Sequence, residues 1–266
     1  MYETIYHRPT SLADAAALFA KTGDATYLAG GHTLIPVMKQ RLAAPSDVID
    51  LSRIKDLIGI EVTGDALIIK AATTYYDITQ SAEAKRAIPA IVHLTTVLGD
   101  PAVRYRGTIG GSLANNDPAA DYPAAVLALD ATITTNTREI KAADFFQGLM
   151  STALQPGEII TAVSFPIPVK AAYSKMRHPA SRFALTAVFV AKTTSGEVRV
   201  AATGASSSGV MRVPAIEQAL TANWSASALD GITVSSDGLM EDIHGSAAYR
   251  ANLIKVMAQR AVADAG

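Results

Sequence analysis

The chain has 266 residues, of which 49 % are hydrophobic and only 18 % charged, against about 25 % charged in a typical domain. Lys plus Arg is 23 and Asp plus Glu is 24, a net charge of −1, which offers no global field to gather nucleic acid or an anionic membrane. There is no cysteine, which excludes disulfides, zinc–thiolate sites, a cysteine nucleophile and cysteine-held iron–sulfur clusters within this chain.

The length suits one large domain or two to three small ones. So little charge on an apolar chain fits either a face covered by a partner or simply an alanine-rich composition. The opening residues, MYETIYHRPT, lack the basic stretch and apolar core of a secretory signal. Apolar runs such as 187–191 fall far short of the ~20 residues of a membrane helix. The expectation is a cytoplasmic protein with no membrane span and no nucleic-acid partner.

Residues 11–20, SLADAAALFA, read as a helix with Ser11 as its cap and Leu12, Ala15, Ala16 and Phe19 on one face. A short extended segment at 25–29 leads into Gly30-Gly31. A helix-like stretch follows over 33–42, with Pro36 in its first turn. A second short strand at 47–51 completes a small β-α-β unit. Beyond Leu57, LIGIEV and ALIIKA flank Thr63-Gly64-Asp65, a hairpin signal. Helices are expected over 76–87 and 90–98, then a glycine-rich loop at 107–111 and an Asp117-Pro118 helix start. ATITT and REIKA form another hairpin. Pro156-Gly157 precedes a strand over 158–165, and Pro166-Ile167-Pro168 marks a boundary. Three strands follow at 171–178, 183–193 and 197–204, with Ser195-Gly196 turning between the last two. Two helices close the chain. The first, 213–222, has Pro214 at its start. The second, 246–264, has Ser246 as cap and Leu253, Ile254, Met257 and Ala261 on its apolar face. There is no internal repeat. Hairpins rather than alternating βαβ units indicate an α+β protein.

Common catalytic signatures are absent: no GxxxxGK[ST], no HExxH, no EF-hand loop and no GxSxG. In Gly204–Gly209 the glycines stand one residue too far apart for a nucleophile elbow. The histidines at 7, 32, 93, 178 and 244 have no ligand spacing, so no metal site is expected.

Two glycine pairs remain. Leu28-Ala29-Gly30-Gly31-His32-Thr33-Leu34 lies between a strand and a helix, and Gly107-Thr108-Ile109-Gly110-Gly111-Ser112-Leu113 lies farther on. Glycine permits positive φ and close backbone approach. Successive N–H groups make an anion-binding concavity, which a following helix N-terminus reinforces. Thr33, Thr108 and Ser112 add hydroxyls. Two such loops can clamp a diphosphate without a lysine. Either loop alone reads first as an ordinary tight turn; the two together, with flanking Thr and Ser, favour the clamp. Asp117 before Pro118 is an N-cap arrangement, whereas Asp121 has no evident capping duty and suits ribose or ribityl hydroxyls. A Rossmann reading places Asp50 about twenty residues after Gly31, but the GxGxxG spacing is missing.

AGGHTL followed by GTIGGSLANNDPAAD resembles the FAD-binding medium subunit of the molybdenum hydroxylases, the group that includes carbon monoxide, xanthine, aldehyde and nicotinate dehydrogenases. The resemblance covers essentially the whole chain. It implies an N-terminal FAD-binding lobe (1–55), a larger mixed α/β FAD-binding lobe (56–167) and a C-terminal domain with a three-stranded antiparallel sheet and helices (168–266). It makes Ala29–Thr33, flanked by Leu28 and Leu34, and Thr108–Ser112 (Thr108, Ile109, Gly110, Gly111, Ser112) the pyrophosphate loops. It places Asp121 against FAD, Ile160 beside the flavin, Lys175 near the ring system and Leu98 near the cofactor. It implies an oxidoreductase subunit that passes electrons from the [2Fe–2S] clusters of a small partner through FAD to an external acceptor. A large partner would hold molybdopterin, in a dimer of heterotrimers. The family's flavin is not covalently bound, so FAD is expected to be non-covalent, with His32 as a possible donor to a phosphate oxygen.

Some residues depart from that pattern. Tyr105 stands where the family often has Asn, and His178–Phe183 replaces the acidic residue that some members have. Phe183 reads as a core aromatic opening an apolar strand, with stacking on the flavin as the other reading. Three further readings carry different chemistry: a free-standing flavin oxidase or dehydrogenase, a non-catalytic nucleotide-binding or assembly subunit, and an NAD-binding Rossmann enzyme.

Overall fold

The computed structural model describes residues 1–265. Its order begins β1 (Ile5–His7), α1 (Leu12–Lys21), β2 (Ala25–Leu28), α2 (Leu34–Lys39) and β3 (Asp47–Asp50). These strands form a parallel sheet in the order β1-β3-β2. Ser11 caps α1 by accepting from the Asp14 N–H, and Ala15, Ile49, Leu51 and Ile54 close a small core beneath it. The β1 strand was not evident in the sequence. Its Ile5 and Tyr6 are exposed, so no alternation betrays it, and its pairing with β3, Ile5 with Asp47, is far apart in sequence.

The middle of the chain carries β4 (Ile60–Thr63), β5 (Ala66–Lys70), α3 (Tyr75–Gln80), α4 (Ala82–Ala87), α5 (Pro89–Thr96), α6 (Pro101–Arg106), α7 (Ile109–Asn115) and α8 (Tyr122–Ala128). Then come β6 (Thr132–Thr135), β7 (Glu139–Lys141), α9 (Ala142–Phe145), β8 (Phe146–Gly148), β9 (Ser151–Thr152) and β10 (Ile160–Pro166). Five strands build an antiparallel sheet ordered β4-β5-β10-β6-β7. The single helix expected over 76–87 is broken at Ser81, whose hydroxyl caps α4 through the Ala84 N–H. No helix begins at Pro118. Asp117 instead accepts from the Ala119 N–H at 2.8 Å in a turn, and α8 starts at Tyr122.

The last part holds β11 (Lys170–Arg177), β12 (Ala184–Lys192), β13 (Val198–Thr203), β14 (Met211–Arg212), α10 (Pro214–Ala222) and α11 (Ala247–Asp264). The antiparallel sheet has four strands, not three, because β14 adds a short edge to β13. Residues 184–191 are buried without interruption, the mark of a strand covered on both faces. Ala187, Phe189 and Ala191 pack into the middle core with Tyr122 and Val126. Val188 and Val190 face Ile254, Met257 and Ala258 of α11. Each large apolar side chain so buried contributes about 1.5–3 kcal/mol. Internal layering therefore accounts for part of the apolar, charge-poor composition. No helix among the described residues is long and apolar enough to cross a membrane.

Candidate functional site

Both glycine loops open onto one cavity of about 770 Å³, within the size range of cofactor pockets. The first loop leaves β2 and enters α2. Gly31 has φ +79°, a conformation that glycine adopts at little cost. Gly30 needs to be glycine for another reason. A Cβ there would lie 2.1 Å from the Arg106 carbonyl oxygen and 2.9 Å from the Gly107 Cα. The two loops thus meet through bare backbone. His32 Nε2 lies 3.1 Å from the Ala102 carbonyl, so that nitrogen donates to α6. Nδ1 remains, and it donates to a phosphate oxygen only in the doubly protonated imidazolium.

The second loop is organised by its protein contacts. Thr108 caps α7 by accepting from the Gly111 N–H at 3.1 Å. The Gly110 N–H donates to the Ala71 carbonyl at 2.9 Å, and a Cβ at Gly110 would lie 2.6 Å from the Ala71 Cβ. Gly110 is therefore small so that α7 can seat against the end of β5, and its N–H is already used. Gly111 is looser: its nearest neighbours would be the Thr108 hydroxyl at 3.0 Å and the Ala29 Cβ at 3.3 Å.

Farther along the cavity the C-terminal sheet contributes charge. Asp121 sits at the N-cap position of α8, yet its side chain makes no cap bond. It is 1 % exposed. Lys175 Nζ, on β11, lies 2.7 and 3.0 Å from its two oxygens, and the Tyr173 hydroxyl donates to it as well. Burial pushes the Asp121 carboxyl above the usual carboxylate range, against the pull of the Lys175 ammonium and the Tyr173 hydroxyl. Burial, then the Asp121 charge, lifts the Tyr173 phenol well above its ordinary value. Thr203 of β13 places its hydroxyl 2.9 and 2.8 Å from the carbonyls of Pro118 and Ala120, which fixes the turn leading to Asp121.

At a third edge, Glu158 braces the strand that carries Ile160. It accepts from Thr135, Thr137, the Gln155 N–H and the Arg138 guanidinium at 2.7–3.1 Å. The Arg138 bond leads in holding its carboxyl down at about 2. Tyr27 of the first lobe donates to the Gly157 carbonyl at 3.1 Å, tying this edge to β2.

Leu28, Ala29, Gly30, Gly31, His32, Thr33 and Leu34 all line the cavity, as do Leu98, Thr108, Gly110, Gly111, Ser112, Asp121, Ile160 and Lys175. Ile109 does not. Its side chain is fully buried in the middle core, on the inward face of α7. Phe183 corrects the reading as a core aromatic: it is 53 % exposed and stands at the cavity wall. Arg182, at φ +62°, breaks the strand just before it. Asp50 is not a ribose ligand. It accepts from the Ser52 N–H and the Tyr6 hydroxyl and does not line the cavity. Tyr105 lies outside it, stacked on Tyr76 at 4.2 Å between centroids. Tyr75, Met150, Leu154 and Arg182 join the lining without having been singled out. Their apolar or loop settings carry no motif. No cluster of three metal-ligating side chains occurs among the described residues.

Residues 1–168 match the family model described as the FAD-binding domain in molybdopterin dehydrogenase. The carbon monoxide dehydrogenase medium chain of Afipia carboxidovorans is 38 % identical over 97 % of this chain and 94 % of its own. The nicotine 6-hydroxylase medium subunit of Paenarthrobacter nicotinovorans is 34 % identical, covering 98 % and 96 %. Among solved structures, reconstituted CO dehydrogenase from Oligotropha carboxidovorans superposes with a TM-score of 0.90 at 36 % identity, over 100 % of this chain and 99 % of that one. Quinoline 2-oxidoreductase from Pseudomonas putida 86 gives 0.87 at 27 %, over 98 % and 96 %.

Proposed function

The chain belongs to the family of FAD-binding domains in molybdopterin dehydrogenases, and from that premise we propose that it is the electron-passing subunit of a molybdenum hydroxylase complex. It is an oxidoreductase subunit, as its relatives are dehydrogenase and hydroxylase medium chains. The carrying observation is the meeting of two glycine loops from separate lobes at the Gly30–Arg106 contact, on a cavity that continues to Asp121 and Lys175.

The cavity suits FAD by its size and its donors. Ala29–Thr33 and Thr108–Ser112 would hold the diphosphate. Thr33 makes no cap bond in its own helix, which leaves its hydroxyl for a ligand. Asp121 and Lys175 would meet the ribityl chain and the ring system, and Ile160 would pack beside the ring. Bound FAD supplies exchange between one-electron and two-electron carriers, and the protein's part is to bind, orient and tune it. Phe183 and Arg182 would border the approach of the acceptor.

Non-covalent attachment fits the place of His32 in the first glycine loop, which would hold the diphosphate and not the ring. The carboxylates lining the cavity are engaged: Asp121 with Lys175 and Tyr173, Glu158 with Arg138, Asp117 with the Ala119 N–H and Asp100 with the Val103 N–H. This favours an electron-transfer role over a free-standing oxidase that relies on a carboxylate base facing its substrate. A large molybdopterin subunit and a small [2Fe–2S] subunit, in a dimer of heterotrimers in the cytoplasm, complete the proposal. With no cysteine, the chain cannot hold thiolate-ligated clusters itself.

The test is the absorption spectrum of the purified chain, with mass analysis of any released cofactor. Flavin bands and FAD in the supernatant are expected. A folded chain that shows no flavin bands after reconstitution with FAD sinks the proposal.

A further inference from the structure

We propose that Tyr173 is a positioning residue that keeps Asp121 ionised, so that the Asp121–Lys175 pair presents a balanced charge to the flavin. The inference rests on the FAD reading above.

The three groups form a closed unit. Asp121 is 1 % exposed, Tyr173 is 1 % exposed, and the Lys175 side chain is 3 % exposed. An isolated carboxylate buried this deeply would take up a proton. Two interactions oppose that: the ammonium 2.7 Å away and the phenol hydrogen bond from Tyr173. A phenol held well above its ordinary value stays a donor and never competes for the negative charge.

The other charged and titratable groups acting here are few. Arg177 adds a weaker positive influence on Asp121. Tyr75 and Tyr122, both held neutral by burial, feel the Asp121 charge. None of them donates a hydrogen bond to Asp121 in place of Tyr173.

The consequence falls on the flavin site because Asp121 and Lys175 both line the cavity. An ammonium has three donors. Contacts to the two oxygens of Asp121 engage two and leave one for a ligand. While Asp121 is ionised, the pair carries no net charge. Once it is protonated, the Lys175 charge stands unbalanced in a low-dielectric pocket, where it favours any ligand that gains electrons.

Tyr173→Phe removes the hydroxyl and keeps the ring, which packs 6.2 Å from Phe189 between centroids. The experiment measures the midpoint potential of bound FAD against pH for the wild type, Tyr173→Phe and Asp121→Asn. The variant Tyr173→Phe is expected to follow the wild type at high pH. It should rise toward the Asp121→Asn curve as the pH falls, with the crossover at higher pH than any such rise in the wild type. A Tyr173→Phe curve that overlays the wild type throughout overturns the proposal and leaves Tyr173 a packing residue. Replacement of Tyr173 by 3,5-difluorotyrosine, a stronger donor of nearly the same shape, supplies a second arm that does not depend on the phenylalanine variant folding. It should move any crossover to lower pH, and an unmoved or upward crossover again overturns the proposal. Failure of the wild type itself to bind FAD would instead overturn the functional reading, so the two failures are distinguishable.

Discussion

Gly30 and Arg106 touch across the two lobes: a methyl group on the Gly30 Cα would stand 2.1 Å from the Arg106 carbonyl oxygen. That carbonyl belongs to backbone at the end of α6 and cannot rotate away. Gly30 does not have positive φ, so the requirement is contact between loops, not backbone conformation. Gly30→Ala is therefore expected to cost about 1–3 kcal/mol, as overpacking does, and to weaken FAD binding by parting the loops. Gly64→Ala is the control. Gly64 has φ +62° and open space around its Cβ position, so it should lose about 1–2 kcal/mol from left-handed strain with FAD affinity unchanged. Denaturant melts and FAD titrations read both. Equal FAD affinity in the two variants would remove the loop contact from the account.

The second loop separates structure from binding. Gly110→Val drives a side chain into Ala71, 2.6 Å from the built Cβ. It also threatens the Gly110 N–H bond to the Ala71 carbonyl. The expected result is a loss of about 3 kcal/mol, with FAD lost as a consequence of a displaced α7. Gly111→Ala meets only the Thr108 hydroxyl and the Ala29 methyl at 3.0 and 3.3 Å, both on the cavity wall. It should weaken FAD while changing the melting temperature little. If Gly111→Ala binds FAD normally, the second loop is not the clamp.

The sequence made some of this legible, and the reasons differ by residue. The run from Ala184 to Ala191 announces a buried strand because it is apolar at every position but Thr186 and carries no charge. The glycine loops stand out because there are two of them, each with paired glycines beside hydroxyls. Asp121 stood out through what it lacks, a capping duty, and the structure supplies its partners. Tyr173 could not be found that way. It lies fifty-two residues from Asp121, on a strand of the C-terminal sheet, and in the sequence it reads as one buried aromatic of an ordinary strand. Phe183 was misread because it runs straight into an apolar strand. Only the backbone at Arg182, φ +62°, reveals that the chain turns there. The reason for Gly110 was also hidden, since Ala71 has no side chain that marks it as a close neighbour.

Glu158 gives the protein an acid limit. Its carboxyl sits at about 2 against an ordinary 4.5, chiefly through Arg138. A depressed acid stabilises the fold fully above its unfolded value and ceases to do so as pH falls through the folded one. Stability should therefore decline from about pH 4.5 toward pH 2 on account of this group. Glu158→Gln should cost about 2 kcal/mol at neutral pH, the scale of a hydrogen bond to a charged group. It should also flatten the dependence below pH 4.5. Melting temperatures across that range decide the matter. A variant that parallels the wild type down to pH 2 would clear Glu158 of the role.

Asn116 controls the hairpin tip beside the cavity. It ends α7 in the left-handed conformation, φ 44° and ψ 49°, and its amide donates to the carbonyls of Gly148 and Ser151 at 2.9 and 2.8 Å. Between those carbonyls lie Leu149 and Met150, both exposed, and Met150 also lines the cavity. Asn116→Ala loses both hydrogen bonds and places a Cβ residue in left-handed backbone without the local bonding that makes Asn tolerable there. The expected cost is about 3 kcal/mol, combining about 1 kcal/mol for each bond with about 1 kcal/mol of strain. Asn116→Gly removes the bonds but not the conformational freedom, so it should recover the strain portion alone. Amide hydrogen exchange over residues 146–152 should speed up in both variants to a similar degree, because both release the tip. Faster exchange in the alanine variant only would mean that backbone strain, and not the amide, holds Leu149 and Met150 in place.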